Sequence, residues 1–102
     1  MDTRGNEQPK ASRQATVVNP EGMHLRAASL LIQLARQFQC RVELSNHNGR
    51  ADAKTTPLQL LVLGAQSGDR LTIEAVGPDA EEAVEAIAKL IEEGFQEPTE
   101  AE

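Results

Sequence analysis

The chain has 102 residues, with 10 Lys and Arg against 16 Asp and Glu, for a formal charge of −6. That is the length of one ordinary domain with a single core, and 39% hydrophobic content is globular rather than disordered usage. An acidic chain without Trp or Tyr, whose aromatic residues are Phe38 and Phe95, has little with which to neutralise phosphates or stack bases, which argues against nucleic-acid binding. The longest aliphatic run, Leu60-Leu61-Val62-Leu63, is far short of a membrane span. Met1-Asp2-Thr3-Arg4-Gly5 leads into no apolar stretch, so no signal peptide is expected and a cytoplasmic location is. Cys40 alone cannot form an internal disulfide, and with His24 and His47 it lacks the spacing of a zinc site. No metal or organic cofactor is expected.

Residues 1–14 carry almost nothing apolar and read as a disordered N-terminal tail; residues 96–102 read as an acidic C-terminal tail, leaving a domain at 15–95. Ala15-Thr16-Val17-Val18 is short and β-branched, a first strand ended by Asn19-Pro20-Glu21-Gly22. From Leu25 to Phe38, apolar residues at Ala28, Leu31, Ile32, Ala35 and Phe38 keep helical spacing. Cys40 to Leu44 alternates as a strand, Asn46-His47-Asn48-Gly49 is a hairpin turn, and a short third strand pairs back over Arg50 to Ala53. Thr56-Pro57-Leu58-Gln59 starts a second helix, with Thr56 as N-cap and Leu58, Leu61 and Val62 facing inward. Leu71 to Ala75 alternates as a fourth strand. After Gly77-Pro78-Asp79 a long helix presents Ala83, Ile87, Leu90 and Ile91 on one face, with Glu85 and Lys89 an i,i+4 pair on the other. Residues 79–93 hold six acids and one Lys, which reads as a solvated helix face. The order β-α-β-β-α-β-α predicts an α+β fold with three helices on one face of a four-stranded antiparallel sheet.

The informative stretch is Asn19-Pro20-Glu21-Gly22-Met23-His24-Leu25-Arg26-Ala27-Ala28-Ser29. Gly22 permits a tight turn, after which His24 falls at the start of the first helix. A helix N-terminus presents unpaired N–H groups and partial positive charge, a ready anion site. Arg26 adds a guanidinium that can grip phosphoryl oxygens in bidentate fashion. The same positive field favours the uncharged imidazole, the form that attacks phosphorus. An imidazole nucleophile beside donors for the transferred group is the chemistry of a phosphoryl carrier. By position alone, a His at a helix start is more simply a surface or capping residue.

The Gly-Met-His-Leu-Arg string and the element order over about residues 14–95 resemble the HPr family, the histidine phosphocarriers of the bacterial phosphotransferase system. Asn46-His47-Asn48-Gly49, Leu60-Leu61-Val62-Leu63 and the closing Gly77-Pro78-Asp79 helix look most like its nitrogen-related branch. The resemblance implies an open-faced β-sandwich and a carrier rather than an enzyme acting on a free product. It implies that His24 is phosphorylated on Nδ1 by Enzyme I, with phosphoenolpyruvate as donor, and passes the group to IIA-type acceptor domains for sugar uptake or regulation. It makes Arg26 the residue that stabilises the phosphoryl group, and assigns any Mg²⁺ to Enzyme I. Leu25 stands where the family usually has a small residue, and Ala27 where it usually has Pro; neither change removes a reacting group.

A second family site maps onto Thr56, where Gram-positive members carry a serine phosphorylated by an ATP-dependent HPr kinase; helix capping by Thr56 accounts for the residue without a kinase. Met23, Pro57, Leu58 and Leu61 would form the apolar surface shown to partners, with core burial a competing account of the two Leu. His47 reads as a turn residue and Cys40 as a small buried or strand-end residue. A monomer is expected. Two other readings stay open. One is an HPr-like regulator acting by docking. The other is a ferredoxin-like small-ligand-binding domain, a class with no reason to set His and Arg together at a helix start.

Overall fold

The structure is a computed structural model and describes residues 8–95. Its elements are β1 (Lys10–Thr16), α1 (Leu25–Ala35), β2 (Arg41–Asn46), β3 (Gly49–Asp52), α2 (Pro57–Leu61), β4 (Arg70–Val76) and α3 (Ala80–Glu92). The four strands form one sheet in the order β1-β4-β2-β3, and every neighbouring pair is antiparallel. The expected β-α-β-β-α-β-α order and α+β class hold.

Alternation along the strands explains the layering. Ala15, Val42, Leu44, Ala51, Leu71, Ile73 and Ala75 point to one face and are buried there. Ser12, Gln14, Arg41, Arg50, Asp52 and Glu74 point to the other and are exposed. The buried face is covered by α1 through Ala27, Ala28, Leu31, Ile32 and Ala35, and by α3 through Ala83, Val84, Ile87, Ala88 and Ile91. Alanines at the contacts let these helices sit close to the sheet. The result is an open-faced sandwich, one sheet with one layer of helices.

β1 is a correction to the tail expected at residues 1–14 and to the first strand expected at 15–18. Residues 10–14 are strand, with Lys10 opposite Val76 and Gln14 opposite Thr72. Of the rest of that segment, residues 1–7 lie outside the described residues, as does the whole segment 96–102. β1 shows little hydrophobic pattern because its inward positions are Ala11, Arg13 and Ala15. Arg13 lies on this edge strand and reaches across to α3, where its guanidinium donates to Glu85 Oε1 at 3.1 Å and Glu92 Oε1 at 3.3 Å. The partner of Glu85 is thus Arg13 rather than the Lys89 expected from helical spacing.

α2 also turns a different face inward than expected. It buries Leu60, and the turn after it buries Leu63, while Leu58 and Val62 are 68% and 74% exposed and Leu61 is half-buried. A five-residue helix has too few apolar positions for its periodicity to set a phase. Its end is tied to the β2–β3 hairpin: the side-chain amides of Asn46 and Asn48 both donate to Leu63 O, at 2.9 and 2.8 Å. The start of α3 is tied to the α1–β2 connection. There the Asp79 carboxylate accepts from the Gln39 N–H at 3.0 and 2.8 Å, which holds its pKa below the ordinary carboxylate value.

Candidate functional site

The approach to α1 is a tight turn. Gly22 N–H donates to Asn19 O at 3.0 Å, closing the turn over Pro20 and Glu21, and Asn19 Nδ2 donates back to Gly22 O at 2.7 Å. Gly22 has φ +69°, and a Cβ there would stand 2.6 Å from Ala65 O. Glycine is therefore needed twice, for the left-handed conformation and for the close approach. Met23 N–H next donates to Ala65 O at 3.0 Å, so the loop is fastened to the segment between α2 and β4.

His24 follows in extended conformation, φ −112° and ψ 179°, as the N-cap of α1. Its imidazole takes the part that Ser or Asp more often plays: Nδ1 accepts from the Ala27 N–H at 3.3 Å. The Ala28 N–H donates to His24 O at 2.9 Å. The N–H groups of Leu25 and Arg26 have no intrahelical acceptor, by the geometry of any helix start. No acidic residue lies in the first turn of α1, so nothing within the helix offsets its positive end. Nε2 lies 3.3 Å from Oε1 of the exposed Glu21. The imidazole is half-buried, and Arg26 is exposed in the first turn. An anion set against Nδ1 would meet backbone donors, with Arg26 one turn-position away.

The other residues singled out divide. Thr56 is exposed and is the N-cap of α2, but its hydroxyl makes no capping hydrogen bond, contrary to expectation. The Gln59 N–H, one of the two donors an N-cap side chain uses, is taken by Thr56 O at 3.0 Å instead. Met23 belongs to the core, at 7% exposure, rather than to an outer surface. Pro57 and Leu61 are half-buried, and Leu58 is exposed. Leu58 and Val62, at i and i+4, share the outer face of α2 opposite Leu60. Leu25, directly after the histidine, is exposed by 59%. The sequence reading missed Leu25 and Val62 as surface residues; the signal for Leu25 was its place at the first helical position, before the buried stripe begins at Ala27.

His47 is an exposed turn residue. Cys40 is buried against Gly77, and burial, with the Asp79 carboxylate beside it, raises its thiol pKa, so it is not a reactive thiolate. Among the described residues no three His, Cys, Asp or Glu side chains gather as a metal site would require, and no helix is long and apolar enough to cross a membrane.

The family model described as "PTS HPr component phosphorylation site" matches residues 11–93. Phosphocarrier protein NPr of Proteus mirabilis is 39% identical over 85 residues, which span 83% of this chain and 94% of that protein. Phosphocarrier protein HPr of Cupriavidus necator is 38% identical over 85 residues, with the same two shares. Among solved structures, HPr of Thermoanaerobacter tengcongensis matches with a TM-score of 0.78 at 31% identity, covering 85% of this chain and 97% of that one. A chain matched along most of its length by both kinds of carrier belongs to the HPr family, nitrogen-related relatives included, and is an HPr-type phosphocarrier of the phosphotransferase system rather than a catalyst in itself.

Proposed function

We propose that His24 accepts a phosphoryl group on Nδ1 from phospho-Enzyme I and passes it to an IIA-type acceptor domain, in the cytoplasm. The observation that carries this reading is the hydrogen bond from the Ala27 N–H to Nδ1, which turns that nitrogen toward the N-terminus of α1. For the step the Ala27 N–H gives up Nδ1, and the freed lone pair attacks phosphorus as the bond to the donor histidine breaks. The new N–P bond leaves the phosphoryl oxygens beside the backbone N–H groups at the start of α1, the released Ala27 N–H among them. Arg26 supplies charge-assisted hydrogen bonds to the equatorial oxygens as the group moves in either direction. The exposed Leu25, Leu58 and Val62 supply apolar contact for the partner. Thr56, with its hydroxyl unused in capping, is a candidate for regulatory phosphorylation that would act on docking.

The test is labelling by Enzyme I and phosphoenolpyruvate. The label is expected to be acid-labile, as phosphohistidine is, and to vanish in His24→Ala. Arg26→Ala is expected to fold normally and to transfer ~10²–10³-fold more slowly, the loss typical of one transition-state contact. Acid-stable label, or label retained in His24→Ala, would overturn the assignment.

A further inference from the structure

Both ring nitrogens of His24 have a partner, and only one of them can react. Nδ1 accepts from a backbone N–H and so carries its lone pair there. The ring proton then sits on Nε2, where Glu21 Oε1 stands 3.3 Å away. The opposite tautomer would set N–H against N–H at Ala27 and a lone pair against a carboxylate oxygen at Glu21, turning both contacts repulsive. Glu21 is aimed by the turn in which it sits. The Asn19–Gly22 hydrogen bonds fix the backbone on both sides of Glu21, and its carboxylate meets the ring three residues on.

We propose that Glu21 is a positioning residue for His24, its charge beside Nε2 favouring the proton on that nitrogen so that the Nδ1 lone pair faces the helix N-terminus. This rests on the reading of His24 as phosphoryl acceptor. In the step itself the Ala27 N–H releases Nδ1, which shares its electron pair with phosphorus while the donor nitrogen recovers its own, and the proton on Nε2 stays in place. The ring thereby gains a positive charge, and the carboxylate at its far edge offsets that charge without facing the phosphoryl oxygens. The arrangement has the logic of a carboxylate that orients a catalytic imidazole and stabilises its cation.

Glu21→Ala and Glu21→Gln separate this from a structural role, because the side chain is exposed and neither change touches the core. In nitrogen-15 spectra of the neutral imidazole, the native protein is expected to show a protonated Nε2 and a bare Nδ1. Glu21→Ala is expected to move both signals toward a mixture of tautomers, and Glu21→Gln to restore them through its amide oxygen. Transfer from phospho-Enzyme I is expected to slow about two- to fivefold in Glu21→Ala, the range of an exposed ion pair, at unchanged melting temperature. Identical spectra for the native protein and Glu21→Ala, or an unchanged rate, would overturn the proposal. Native protein that takes no label on His24 would instead overturn the acceptor reading, and the spectra would still decide what Glu21 does to the ring.

Discussion

Replacing Gly22 by Ala tests whether the turn before His24 is built as described. Two costs arise together. An L-residue at φ +69° pays about 1–2 kcal/mol for the left-handed conformation. The new Cβ would also lie 2.6 Å from Ala65 O and 3.0 Å from Gln66 Cα, both backbone atoms with no rotamer to retreat into. The loop must therefore move away, and the first bond to break is Met23 N–H to Ala65 O, at a net loss of about 0.5–1.5 kcal/mol. The sum is near 2.5 kcal/mol, which in a domain of this size lowers the melting temperature by about 10–20 °C. His24 is displaced with the loop, so phosphotransfer should fall even below the melting transition. Circular dichroism melting and single-turnover labelling measure the two effects. A Gly22→Ala protein that melts within about 3 °C of the native one, below the roughly 6 °C of even the lowest sum of the two costs, would refute the close approach.

Removing residues 1–14 takes away five of the seven residues of β1 and the Arg13 bridge to α3, so cooperative melting should be lost; melting at the native temperature would show that β4 does not need its outer neighbour. Asp79 has its pKa lowered by the Gln39 N–H, so the stability it contributes is present above the unfolded value and lost as pH falls below about 4. Asp79→Asn should flatten that acid limb of the stability curve, and an unchanged limb would assign the acid sensitivity elsewhere. Thr56→Ala should change stability by less than about 0.5 kcal/mol, since no capping bond is lost; Thr56→Glu should keep the fold and weaken binding to Enzyme I, and equal affinities in a titration would take Thr56 out of the interface.

What the sequence shows and hides follows from how far each feature reaches along the chain. The His24 turn is written within a dozen residues: Gly22 for the turn, the histidine at the cap, Arg26 in the first turn, and an apolar stripe that starts only at Ala27. Long helices such as α3 repeat their pattern enough times to fix which side is buried. α2 does not, and its inner face is decided by contacts rather than by its own five residues, so Leu60 displaces the expected Leu58, Leu61 and Val62. β1 is hidden for a related reason. Its place is set by β4 and by Glu85 and Glu92, some seventy residues away, and a strand that turns Arg13 inward shows no alternation to find.

The contact between Glu21 and His24 lies between these cases. Both residues sit in the legible stretch, but a spacing of three outside a helix carries no fixed geometry. Only the turn closed by Asn19 and Gly22 converts that spacing into a carboxylate against Nε2. The motif therefore names the nucleophile, whereas the arrangement of its two ring nitrogens depends on one backbone hydrogen bond and one carboxylate contact that residue identity alone does not specify. Relatives with another residue at the position of Glu21 should keep the helix N-terminus and lose the outer hold on the ring. Their acceptor histidines would then exchange tautomers more freely than His24, a difference that the same nitrogen-15 spectra measure.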